Sequence, residues 1–153
     1  MEGRLDARTG LEELDRDECM SLLAGSPLGR LAVVVAGQPL VFPVNFTLDG
    51  NAIVFRTDRG TKLHGARNGP VAFECDGIDR EYHTGWSVVA QGNPEEVLSA
   101  PEIARLERLP LRPWCDVPKP IWMRLRPSSV TGRRIPAHVA TFVSDTEEET
   151  RCR

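Results

Sequence analysis

The sequence predicts a mainly β (α+β) domain in which six antiparallel strands close into a barrel flanked by short helices. Three observations point to it. Short apolar stretches, alternating or wholly apolar, recur between residues 28 and 126. Tight-turn signals separate the first of them, at Gly37-Gln38 and Asp49-Gly50. Helical patterning is confined to three short segments, and a set of short strands with few helices hides its edges best by closing on itself.

The elements follow in order. Thr9-Gly10-Leu11-Glu12 and Asp15-Arg16-Asp17-Glu18 each offer a cap residue with Glu three positions on. Leu11, Leu14, Cys19, Leu22 and Leu23 share one helical face, so one amphipathic helix is expected to open the domain and stop at Gly25-Ser26-Pro27. Strands are expected at 28–36, 40–48 and 52–57, joined by short turns into a meander. In the third, Ile53, Phe55 and Thr57 face one way and Val54 and Arg56 the other. A short helix is expected over 61–67, closed by Asn68-Gly69-Pro70. Two more strands are predicted at 71–75 and 84–92. Ser99-Ala100-Pro101-Glu102 then starts a helix that ends before Pro110. A Pro-rich loop runs from 110 to 120, and the last strand covers 121–126, continued by 130–135. The domain is assigned to residues 1–143, and the acidic segment 144–153 is expected to be a disordered tail.

Composition narrows the function. With 153 residues, 41% hydrophobic and 27% charged, the chain is an ordinary globular domain. A formal net charge of −3 argues against nucleic acid as the main partner, because phosphate-backbone binding needs a basic surface. No apolar run reaches the roughly 18–20 residues that span a bilayer, and the first residues lack the apolar stretch of a secretory leader. A soluble, cytoplasmic protein is expected. Cys19, Cys75, Cys115 and Cys152 have no paired spacing, so reduced thiols are expected rather than a metal site or disulfide framework. His64 and His83 lack a carboxylate or cysteine at ligand spacing and read as solvated.

The stretch richest in chemistry is Phe55-Arg56-Thr57-Asp58-Arg59-Gly60-Thr61-Lys62-Leu63. A strand ends, a glycine permits a sharp turn, and a helix begins with a hydroxyl and a lysine. Unpaired amides at a helix start favour an anion. Thr61 adds a hydroxyl donor, and Arg56, Arg59 and Lys62 add positive charge. The pattern is that of a phosphate cradle, without the G-x-x-x-x-G-K-[ST] loop of nucleoside triphosphatases.

Around this cradle stand Gln38-Pro39-Leu40-Val41-Phe42-Pro43-Val44-Asn45-Phe46, Asn68-Gly69-Pro70-Val71-Ala72-Phe73-Glu74 and Gly85-Trp86-Ser87-Val88-Val89-Ala90-Gln91-Gly92. In that order and spacing the chain resembles the pyridoxamine 5'-phosphate oxidase-like FMN-binding split barrels, in particular the short branch related to nitroimidazole-resistance proteins, from about Leu14 to Ile135. The resemblance implies that Arg56, Thr57, Thr61 and Lys62 hold the flavin phosphate and ribityl chain. It implies that Pro43, Val44, Asn45 and Phe46 lie along the isoalloxazine ring, mostly through backbone groups, and that Trp86, Ser87 and Val88 close on the ring edge. It also implies a homodimer with FMN in the groove between subunits and Arg133, within Val130-Thr131-Gly132-Arg133-Arg134, reaching in from the second chain. The chain lacks the arginine that opens the corresponding strand in authentic pyridoxamine phosphate oxidases, having Phe42 or Pro43 there, and lacks their Arg-Leu-His-Asp-Arg-like end. The vitamin B6 reaction is therefore not implied. The function expected is an FMN-dependent oxidoreductase acting on an unidentified small molecule, with no catalytic residue assigned. A deazaflavin-dependent reductase using Arg59, Arg67 and Arg133 is one alternative, and a non-enzymatic flavin- or haem-binding module is another.

Overall fold

A computed structural model describes residues 4–137. The elements are β1 (Arg4–Asp6), β2 (Leu11–Leu14), α1 (Arg16–Ala24), β3 (Leu28–Val35), β4 (Gln38–Asp49), β5 (Ala52–Thr57), α2 (Thr61–Arg67), β6 (Val71–Asp79), β7 (Thr84–Gly92), β8 (Pro94–Glu96), α3 (Ala100–Leu106), β9 (Ile121–Leu125) and β10 (Ser129–Ile135). The acidic segment expected as a disordered tail lies outside the described residues. No helix among the described residues is long and apolar enough to cross a membrane.

All strand pairs are antiparallel, in the order β1-β2-β10-β7-β6-β3-β4-β5-β9-β8. The mainly β class and the barrel stand, but the described residues form ten strands rather than six. β4 belongs to two ladders. Its first part, Gln38 to Asn45, pairs with β3, and its second part, Phe46 to Asp49, pairs with β5. On the far side, β7 runs through Asn93 into β8, leaving β6 and β10 to join β9. These two changes of partner fold the ribbon into a split barrel of two sheets.

Local chemistry explains the differences from expectation. Leu11–Leu14 is a strand, not the start of the first helix. Two leucines three apart fit a helix or a short strand equally, but Gly10 sits at φ +70°, and the four residues pair with β10. The helix begins only at Asp15, whose carboxylate accepts from the Glu18 amide while Glu18 accepts from the Asp15 amide. Segment 129–135 is a separate strand, because Pro127 breaks the run after β9 and the chain crosses to β7. The first hairpin turns at Ala36-Gly37, one residue earlier than expected, with φ of 49° and 76° that suit a primed turn. Ser99 caps α3 by position but makes no side-chain cap bond.

The main core lies between the sheets and includes Leu31, Phe46, Ile53, Phe55, Phe73, Val88 and Met123. A second cluster, Val54, Val97, Leu106 and Trp122, forms where α3 covers the outer face of β5 and β9. That cover explains why β5 is buried on both faces despite its two-sided pattern. α2 packs against β3 through Gly65, where an added Cβ would sit 2.6 Å from the Cβ of Val33. Gly65→Ala is therefore expected to lower stability by about 1–3 kcal/mol through overpacking, read from the urea midpoint at constant m.

Candidate functional site

The site forms where β4 leaves β5. The last pair of their ladder is Phe46 with Phe55. The next residues, Asn45 on β4 and Arg56 on β5, stand at the mouth of the split. From there toward Gln38, β4 pairs with β3 alone, so its other backbone edge faces the opening. Pro43 and Asn45 point to the outer face of the sheet. Val44 and Phe46, 2% and 4% exposed, point into the core and can offer a ligand main chain only.

α2 begins just beyond β5. Gly60 precedes it in an extended conformation and makes no side-chain cap bond, which leaves the first amides of the helix without intrahelical acceptors. Lys62 is half-buried with Nζ 5.5 Å from the centroid of Phe42 on β4. Burial, reinforced by Lys119, pulls its pKa below the ordinary lysine value, with Asp58 opposing. Arg56 lies 5.1 Å over the ring of Trp122 and donates through Nε to the Lys119 carbonyl at 2.7 Å. Thr61 is exposed at the helix start. Thr57 is 1% exposed and its hydroxyl donates to the Asp58 carbonyl, so its contribution at this place is main chain. Arg56, Thr57, Thr61 and Lys62 are thus brought together at one end of the barrel. The donor set of amides, the Thr61 hydroxyl and the cations Arg56 and Lys62 suits a phosphate dianion, and Asp58 is the acidic group that opposes the lowering of the Lys62 pKa.

Two neighbours of these residues escaped the sequence reading, and both lie in the Pro-rich loop. Lys119 stands beside Arg56 and Lys62. Trp114 donates its main-chain N–H to Asn45 Oδ1 at 2.9 Å, while Asn45 Nδ2 donates to the Pro27 carbonyl at 3.2 Å. The one local signal was a lysine held between Pro118 and Pro120.

Trp86, Ser87, Val88 and Arg133 form a second group in the same chain. From β4 to β7 there are three strand steps, roughly 14 Å at about 4.8 Å each. Ser87 and Arg133 are cross-strand neighbours on the outer face. Trp86 points the other way, against Gly77, with Arg134 as its partner on β10. Val88 is fully buried in the core. An open cleft of about 410 Å³ lies here, lined by Trp86, Ser87, Arg133, Arg134, Glu74 and Asp76 among others. Arg134 is engaged by Glu12 and Glu18 at 3.4 and 3.5 Å, and Arg30 by Glu74 and Asp76 at 2.9 and 2.7 Å. One chain therefore carries these candidate residues in two separate groups, one around β5 and α2 and the other on β7 and β10.

Comparison with known proteins identifies the family. The sequence profile described as pyridoxamine 5'-phosphate oxidase matches residues 15–134. An uncharacterized protein of Mycobacterium tuberculosis is 37% identical over 135 residues, covering 84% of this chain and 88% of its own. The FAD binding protein of Mycobacterium smegmatis superposes at a TM-score of 0.70 with 38% identity, covering 81% of this chain and 99% of that one. A candidate 5-nitroimidazole antibiotic resistance protein from Bacteroides thetaiotaomicron gives a TM-score of 0.67 over 82% of this chain and 89% of that one. At 16% identity it speaks for the fold alone. A barrel split along β4, a cationic helix start beside the split and a profile that runs from α1 to β10 agree with one another: the chain belongs to the pyridoxamine 5'-phosphate oxidase family and has its split-barrel fold.

Proposed function

We propose that the chain binds FMN by its phosphate at Arg56, Thr61 and Lys62 and works as a flavin-dependent oxidoreductase on a small molecule. The observation that carries this reading is the free edge of β4 opening directly beside the cationic start of α2. A phosphate in the cradle and a planar ring along Pro43, Val44, Asn45 and Phe46 use both features at once. The bound flavin would supply electron transfer, and the protein would set its position, polarity and access. Arg56 and Lys62 hold charge at the phosphate, main-chain groups of β4 face the ring, and Phe42 and Trp122 exclude water beneath the two cations.

A homodimer fits the division into two groups. Val34, Val41, Ile78 and Ile135, 44–68% exposed, all lie on the outer face of the sheet that carries Ser87 and Arg133. A second copy docked on this face would cover them and bring its Arg133 toward the first copy's split. FAD is a second reading, because the relative at 38% identity is an FAD binding protein and the exposed Thr61 and Arg59 leave the phosphate end open to solvent. The deazaflavin alternative loses one of its cations, since Arg67 is ion-paired with Glu96.

Titration of the full chain with FMN, FAD and the deazaflavin coenzyme, followed by the visible flavin bands, tests the reading. Tight, saturable binding of FMN is expected; a colourless protein that takes up none of the three would remove it. Reduction of the bound flavin by NADH or NADPH tests the oxidoreductase part, and failure with every donor screened would favour a storage or sensing module. The pH dependence is also fixed in sign. Lys62 binds the phosphate as a cation, so FMN affinity is level below its lowered pKa and falls as pH rises through it. Lys62→Arg is expected to keep the affinity level across that alkaline range; the same alkaline fall in the arginine variant would assign the titration to another group.

A further inference from the structure

The Pro-rich loop is fastened to both lips of the split, yet its largest side chain is left in solvent. On the β4 lip the Trp114 amide donates to Asn45 Oδ1 at 2.9 Å. On the β5 lip the Lys119 carbonyl accepts from Arg56 Nε at 2.7 Å. The loop's earlier apolar residues, Leu109 and Leu111, tuck into the cluster under α3, but the Trp114 indole is 68% exposed. The pinned backbone holds an exposed indole beside Asn45, where a planar ligand lying along β4 would cover it. Asn45, which holds the loop, is itself one of the residues along which the ring is placed. We propose that Trp114 forms an aromatic wall of the flavin site, stacking against the isoalloxazine ring as it passes Asn45.

This rests on the flavin reading above and adds to it a residue and a role. Trp114 selects for a flat, electron-poor ring, while the cradle selects for the phosphate; the two act on different parts of one ligand. An indole in contact with an isoalloxazine quenches its emission by electron transfer, which gives a readout independent of activity. It also shields that side of the ring from water.

The test uses the full chain loaded with FMN. Trp114→Phe keeps the main-chain bond to Asn45 and removes an exposed side chain, so the thermal melt is expected to stay unchanged. Flavin emission is expected to be strongly quenched in the wild type and to rise several-fold in Trp114→Phe. Trp86→Phe and Trp122→Phe should leave it dark. Trp114→Ala should weaken FMN binding by roughly tenfold, the scale of one aromatic stack. Tight FMN binding with emission and affinity unchanged in both Trp114 variants would overturn the proposal and leave the flavin reading standing. Brightening in Trp86→Phe instead, or a Trp114 effect confined to dimer dissociation in sedimentation, would overturn it as well. A wild-type chain that binds no flavin would take both readings down together.

Discussion

Phe73→Ala is expected to lower the unfolding free energy by about 3–5 kcal/mol, the range for emptying a large aromatic position in a packed core. Phe73 is fully buried on β6, between β3 and β7. Its ring meets that of Phe46 edge to face, with centroids 4.7 Å apart and planes at 67°. It also fills the space left by Gly29, where a Cβ would sit 2.2 Å from Phe73 Cζ. Neither neighbour can follow a truncated side chain, because Phe46 is fixed by the ladder to β5 and Gly29 by the ladder to β4. The void would therefore persist, which places the loss toward the upper end of the range. Small domains hold only about 5–15 kcal/mol in total, so the variant would be close to unfolding at body temperature. Equilibrium urea unfolding measures it. A loss under about 1.5 kcal/mol would mean that the sheet is not packed around this ring. Because Phe46 is also the last β4 residue before the split, FMN affinity should fall in whatever fraction stays folded.

Lys62→Ala carries the largest expected effect on binding, a loss of about 1.5–3 kcal/mol in FMN affinity, the scale of a charge-assisted hydrogen bond. Stability should move the other way or not at all. Burial disfavours the charged form of Lys62 in the folded chain, so that cost is present while the amine is protonated and relieved only as pH climbs above its lowered pKa. Removing the amine removes the cost. An affinity loss with an unchanged or slightly raised melting temperature is the signature of a group kept for its ligand. Isothermal titration beside a thermal melt separates the two quantities. If Lys62→Ala combined with Thr61→Ala leaves FMN affinity intact, the phosphate is held elsewhere.

Much of the architecture could be read from residue patterns because it is local. β3, β4 and β5 are joined by two tight turns, and both turns announced themselves within a residue of their place. The Asp15–Glu18 capping box marked the true start of α1, while Leu11 and Leu14 were claimed for a helix that a neighbouring strand, 118 residues further on at Gly132, converts into β structure. No local pattern carries that information. The same holds for β8, three residues long and defined only by its pairing with β9. The stretch proposed as the phosphate cradle, with Arg56, Thr61 and Lys62, could be proposed from the sequence because its residues are close together in the chain. Trp114 and Lys119 could not, because they reach the split through a loop whose path is set by contacts to Asn45 and Arg56. The separation of Trp86, Ser87, Val88 and Arg133 from the cradle follows from sheet order, which appears only once the strands are assembled.

That β4 switches partners midway has a consequence for how this scaffold can diversify. Each half of the strand answers to a different neighbour, so the two registers are uncoupled at the junction between Asn45 and Phe46. Adding or deleting two residues there would shift one half along its neighbour while both halves kept their inward and outward faces. The gap could thus be made wider or narrower without rebuilding either wall. A fold with such an expansion joint can exchange one bulky guest for another while its foundations stay put.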